Sequence, residues 1–145
     1  MTAITTRPAG EAGPGVAAGA APESSLLRFA LRADATLCAG LGLLIAMAAD
    51  PLSRLSGLSS TSEWIAGAAL VVYGATLYLL AGLPDVRRVG AGVLAGNVVF
   101  AILVTVVLVA GWLPLTEFGV AATIAFTVVT LAFAYVQYLG VRRLA

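Results

Sequence analysis

Four apolar runs of about 20 residues each constrain this chain more than any other feature; they span about 26–49, 64–83, 89–112 and 118–139. The hydrocarbon core of a bilayer is about 30 Å thick, and roughly 20 residues of α-helix cross it. In lipid every backbone N–H and C=O needs a partner within the protein, so only helices and closed barrels span. A barrel requires shorter segments that alternate polar and apolar residues, whereas these runs are apolar on every face. The β-branched stretch Val104-Thr105-Val106-Val107 would favour a strand in water. Inside a membrane the backbone's need for partners outweighs that propensity. The expected fold is all-α, a bundle of four transmembrane helices.

Composition agrees. The 145 residues leave room for one domain. They are 61% hydrophobic and 10% charged, against about 45–50% and about 25% in soluble domains. A soluble fold of this size keeps most residues in touch with its surface and could not hide so much apolar area. The lipid bilayer is therefore the first expected partner. The net charge of +1 supplies no concentrated basic face, so no nucleic acid is expected.

Residues 1–25 differ, being rich in Ala, Gly, Pro and Thr, with Ile4 and Val16 as the large aliphatics. Such a segment cannot bury enough to offset its ordering entropy, and it reads as a disordered cytoplasmic tail. It lacks the charged start and apolar core of a signal peptide. The membrane domain is expected over 26–143, entered through Pro22-Glu23-Ser24-Ser25 with Ser24 or Ser25 as the N-cap.

Turn chemistry separates the spans. Asp50-Pro51 closes the first, because the residue before proline avoids helical geometry. Leu52, Leu55 and Leu58, three apart, suit one short turn lying in the interface. Ser60 with Glu63 fits a capping box opening the second span. Gly82-Leu83-Pro84-Asp85 and Gly111-Trp112-Leu113-Pro114 break the second and third.

All eight basic residues are arginines. Arg7, Arg28, Arg32, Arg87, Arg88, Arg142 and Arg143 fall on one side of the topology, and Arg54 alone on the other. By the positive-inside rule both termini are cytoplasmic, which for a bacterial chain means the inner membrane. Trp64 and Trp112 then mark the outer boundary, and Tyr78, Tyr135 and Tyr138 the inner one.

A parallel repeat of two hairpins is a further expectation. Pro51-Leu52-Ser53-Arg54-Leu55 corresponds to Pro114-Leu115-Thr116-Glu117-Phe118, and Val86-Arg87-Arg88 to Val141-Arg142-Arg143. A duplication would pack the first and third spans about a pseudo-two-fold axis along the membrane normal. Proline after a span and arginine at its cytoplasmic end are also what any such hairpin would use.

The candidate intramembrane polar residues are Asp34, Thr76, Asn97 and Thr130. Arg28 and Arg32 share a helix face, while Asp34 lies about 200° round from Arg32 and cannot easily pair with either. A carboxylate at membrane depth is usually paired and turned inward. The closeness of Arg32 favours instead a shallow, hydrated Asp34 at the headgroups. Asn97 is about 12 Å into the third span, and its amide has hydrogen-bonding positions that lipid cannot satisfy. With Thr76 and Thr130 at similar depth, a polar layer in the inner leaflet is expected, serving as glue between helices ahead of an ion or ligand site. Small residues mark packing faces: Cys38 and Gly42, Gly67 and Gly74, and the GxxxG of Gly92 and Gly96, within the bundle or between subunits. Cys38 is expected to pack rather than react.

Several chemistries lack their residues. Without histidine there is no imidazole acid/base or bis-histidine haem. One cysteine cannot form a CxxC pair, and no glycine-rich loop with lysine can cradle phosphate. No catalytic residue, metal or cofactor is expected. A small four-helix exporter would carry a carboxylate deep in its first span, where Asp34 is read as shallow.

Gly96-Asn97, Gly111-Trp112-Leu113-Pro114-Leu115-Thr116 and Gly119, with Leu31-Arg32-Ala33-Asp34-Ala35 and Gln137-Tyr138-Leu139-Gly140-Val141-Arg142-Arg143, carry a resemblance. Over residues 26–143 the chain resembles small four-helix integral membrane proteins of high-GC bacteria of the actinobacterial type. The resemblance implies fold and membrane location, and no mechanism. The expected role is a non-enzymatic accessory or scaffold subunit, self-associated or bound to a membrane-protein partner. The alternative is a small transporter or channel built around Asp34 and Asn97. Anionic headgroups held by Arg87, Arg88, Arg142 and Arg143 form a third, weaker reading.

Overall fold

A computed structural model describes residues 22–145, so nearly all of the tail expected over residues 1–25 lies outside the described residues. The order is α1 (Pro22–Met47), α2 (Ala49–Ser56), α3 (Ser60–Leu80), α4 (Val86–Ala110) and α5 (Glu117–Arg143). Four of these, all but α2, are long and apolar enough to cross a membrane. The described chain is an all-helical four-span bundle, and the protein is a multi-pass membrane protein.

α1 begins four residues ahead of the expected start, at Pro22. Proline suits a first turn, whose N–H groups have no intrahelical acceptor. Ser24 and Ser25, expected to cap the helix, therefore lie inside that turn. The break after Met47 is set by Pro51, whose ring excludes the carbonyl four residues back and removes that hydrogen bond. The chain restarts at once as α2, the short turn anticipated from the leucine spacing, and stops at Gly57, whose φ of 88° is left-handed.

The N-cap of α3 is Ser59 rather than Ser60, its hydroxyl accepting from Ser62 N at 3.1 Å. Glu63 does not close a capping box. It is buried, and the Ser56 hydroxyl donates to its Oε1 across the α2–α3 turn. Asp85 caps α4 and is paired with the Arg88 Nε at 3.1 Å. Gly111, with φ 64°, ends α4, and Trp112 N reaches back to Val107 O. Thr116 caps α5, its hydroxyl also donating to Leu55 O while its N–H donates to Ser56 O at 2.9 Å. The last carbonyls of α2 thus find their partners at the start of α5, which closes the bundle at that end.

The packing is inside-out relative to a soluble protein. Leu79, Trp112 and Val109 stand 74%, 71% and 85% exposed, while Asp34 is 4% and Gln137 0% exposed. Large apolar side chains face lipid, and small or polar ones face the neighbouring helix. α1 lies at the centre, packed chiefly on α3, then on α5, and over a shorter stretch on α4. Glycine permits the α1–α3 approach. A Cβ on Gly67 would lie 2.5 Å from Gly42 O and from Ala46 N, and one on Gly74 would lie 2.5 Å from Ala35 O. The hairpin α4–α5 has no counterpart of α2 in its turn, and α1 meets α5 more extensively than α4. The two halves are therefore packed unequally.

Candidate functional site

Every spanning helix contributes at least one hydrogen-bonding side chain to a common point. Asp34 and Cys38 come from α1, Tyr73 from α3, Asn97 from α4 and Gln137 from α5. Gln137 Nε2 donates to Asp34 Oδ2 at 2.9 Å. Asn97 Nδ2 lies 3.4 Å from the same oxygen and 3.1 Å from Gln137 Oε1. The Cys38 thiol lies 3.4 Å from Asp34 Oδ1. Tyr73 donates its hydroxyl to Asn97 Oδ1 at 3.3 Å.

The donors run in one direction. Tyr73 gives to Asn97, Asn97 to Gln137 and Asp34, and Gln137 to Asp34, where the series ends. A carboxylate only accepts, so both amides must turn their nitrogens toward it and their oxygens away. These are the donors that a buried carboxylate accepts from where no water reaches it. The hydrated Asp34 expected from the closeness of Arg32 is corrected: Asp34 is buried, because the 200° that separates the two side chains aims it into the bundle.

Apolar side chains seal one side of this network. Leu27, Leu31, Ala35, Leu77, Ala81 and Val86 form a buried cluster, flanked by Val89, Val93, Val141 and Leu144. Apart from Ala35, one residue past Asp34 on α1, these lie toward the arginine-bearing helix ends. On the far side, short of the buried Ser56–Glu63 pair, the buried residues are small or self-satisfied. They include Gly42, Gly67 and Ala101, with Thr127 and Thr130 bonded to carbonyls of their own helix at 2.8 Å and 3.0 Å.

Of the four polar residues singled out by sequence, Asp34 and Asn97 meet and the threonines do not join them. Thr76 is exposed, its hydroxyl bonded to Val72 O at 2.8 Å. Thr130 is buried on the inner face of α5 but closes on Phe126 O. Gln137 and Tyr73 complete the network and were not among the candidates. Gln137 could have been found from the stripe Thr127, Thr130, Ala134, Gln137 and Gly140, small or polar residues at helical spacing that trace the inner face of α5.

The packing residues also separate. Cys38, Gly42, Gly67 and Gly74 lie in the α1–α3 seam or beside it. Gly92 and Gly96 are exposed, and a Cβ on either would meet nothing within 4 Å. That GxxxG does not pack the bundle. Among the arginines, Arg28 donates from Nη1 to Ala81 O at 2.7 Å, holding the end of α3. Arg32 stands over the Tyr78 ring at 5.8 Å. Arg87, Arg88, Arg142 and Arg143 are exposed at the start of α4 and the end of α5. The chain matches no protein-family model, no curated protein and no solved structure.

Proposed function

We propose that this protein is a non-enzymatic accessory or scaffold subunit of a membrane assembly, formed with a partner membrane protein or with further copies of itself. One observation carries the reading: the Asp34 network is satisfied by the chain's own donors and sealed by Leu27, Leu31 and Leu77. A site built for turnover keeps a free coordination position or a path to water, whereas this one ties four helices into one body. The outward GxxxG of α4 offers a surface on which another helix can approach closely. The arginine bias supports cytoplasmic termini in a bacterial inner membrane, and the likeness to actinobacterial four-helix proteins belongs to the same reading.

Crosslinking in native membranes, followed by native mass spectrometry in mild detergent, tests this role. Homo- or hetero-oligomers lost on Gly96→Leu are expected; a lone monomer under both conditions overturns it.

A second reading, a small proton- or cation-coupled transporter, draws on the same carboxylate, since intramembrane acids commonly lie on ion paths. In that case Asp34→Asn abolishes ion flux in proteoliposomes while the fold persists. A bundle function predicts no flux to abolish.

A further inference from the structure

One hollow of the described structure lies away from the polar network. It is an open groove of about 1100 Å³ along the outer face of α1, walled by Tyr78 of α3 and Phe133 of α5. Its floor runs from Arg28 to Leu44, about 24 Å at 1.5 Å per residue. Beyond the arginines the floor becomes mainly apolar, with Leu37, Gly40 and Leu41 along it. A Cβ on Gly40 would meet nothing within 4 Å, so the floor is open there.

Charge sits at one end only. Arg28 and Arg32 both line the groove, and among the described residues no carboxylate does. Arg28 bonds to Ala81 O, the C-cap of α3, which holds it at the level where that span ends, with Arg32 one turn further along α1. One Arg28 nitrogen, Nε, is buried without a protein partner. The groove therefore has a cationic head and an apolar body, in the order in which a membrane lipid presents phosphate and acyl chain.

We propose that this groove binds an anionic phospholipid, its phosphate between Arg28 and Arg32 and one acyl chain laid along Leu37 to Leu44. A second copy fits less well. Two-fold pairing through this face would bring Arg28 and Arg32 against their own equivalents, and like charges repel most in low dielectric. Zwitterionic lipid fits the apolar body but leaves the excess charge of the head uncompensated.

Native mass spectrometry of the full chain with phosphatidylglycerol and phosphatidylcholine of matched acyl chains tests this. Phosphatidylglycerol is expected to be retained at least about tenfold better, from two arginines worth about fivefold each. Arg32→Gln weakens its retention about fivefold, while the Arg142→Gln/Arg143→Gln double variant leaves it unchanged. Because Arg28 also holds α3, the apolar half is probed separately with Gly40→Phe, which fills the floor and lowers retention of both lipids, with helicity checked by circular dichroism. Equal retention of the two lipids overturns the proposal. So does unchanged retention in Gly40→Phe, an equal loss in the Arg142/Arg143 variant, or a dimer through this face that excludes lipid.

Discussion

Gln137 and Asp34, 103 residues apart in sequence, are joined by a 2.9 Å hydrogen bond that ties the last span to the first. Both are nearly or wholly shut off from solvent and lipid. Asn97 bridges them from α4, so the three helices share one bonded triangle, and Tyr73 attaches α3 through Asn97. Lipid gives little net drive for helices to associate, since lipid tails are as apolar as the side chains. What holds these spans in one arrangement is close packing where glycines permit it and polar closure where they do not.

Gln137→Leu removes the shortest bond to Asp34 and leaves Asn97 as its amide donor. The bundle should lose about 1–2 kcal/mol, read as a lowered midpoint in denaturation from mild detergent. Asp34→Leu takes the acceptor from Gln137 Nε2 and the Cys38 thiol, leaving Asn97 bonded only to Gln137, and should lose more, about 3 kcal/mol. Asp34→Asn keeps an oxygen toward Gln137 and Asn97 and turns its NH₂ toward the Cys38 sulfur, so its loss stays under about 1 kcal/mol. An Asp34→Asn that unfolds as readily as Asp34→Leu contradicts the donor directions given above.

The two kinds of glycine should respond oppositely. Gly67→Ala sets a methyl 2.5 Å from Gly42 O and Ala46 N, backbone atoms that cannot turn aside. Separating α1 from α3 should cost about 1–3 kcal/mol. Gly96→Ala adds the same methyl into open space, so the monomer keeps its denaturation midpoint or gains slightly from the better helix propensity of alanine. Equal losses at both sites would mean that α4 packs within the bundle through its GxxxG.

The spans were legible because length and apolarity state them directly, and the inward aim of Asp34 was already present in its angle to Arg32. Its burial was not legible, because the side chains that enclose it, Asn97 and Gln137, come from helices 63 and 103 residues further along the chain. Thr76 misled for a chemical reason. A threonine can satisfy its hydroxyl on the carbonyl one turn back, so in lipid it needs no neighbour. The amides of Asn97 and Gln137 have more positions than one backbone carbonyl can fill, and they are the side chains that had to find other helices. Polarity alone does not separate these cases; the capacity for self-satisfaction does. The glycines divide likewise, since GxxxG spacing records a possible approach and only the fold says which face the partner occupies.

At the opposite end, Ser56→Ala takes the hydroxyl donor from the buried Glu63 carboxylate. The expected loss is about 1–2 kcal/mol, with amide exchange rising across the α2–α3 turn and little change in α4. Glu63→Gln can still accept through its amide oxygen and should be milder. If Ser56→Ala is silent in exchange and in denaturation, water already supplies Glu63 and the pair does not anchor α2.

The even number of spans puts the described C-terminus and the start of α1 on one side, and the proposed topology assigns that side to the cytoplasm. Cys38 is the only cysteine and is buried, so Cys38→Ala gives a background for single-cysteine labelling. Removing its weak thiol bond to Asp34 should leave the fold intact, because Gln137 and Asn97 still donate. In that background a cysteine at Ser59 or Trp112 should react with an impermeant maleimide added to intact cells. One at Arg87 or Ala145 should react only after permeabilisation. Reversing Arg87 and Arg88 to Glu tests the cause: the α3–α4 turn loses its retention signal, and labelling of mixed sidedness appears at Ser59. The opposite pattern in the parent chain, with Ala145 reached from outside, would place both arginine-rich turns beyond the membrane and remove the basis for the cytoplasmic assignment.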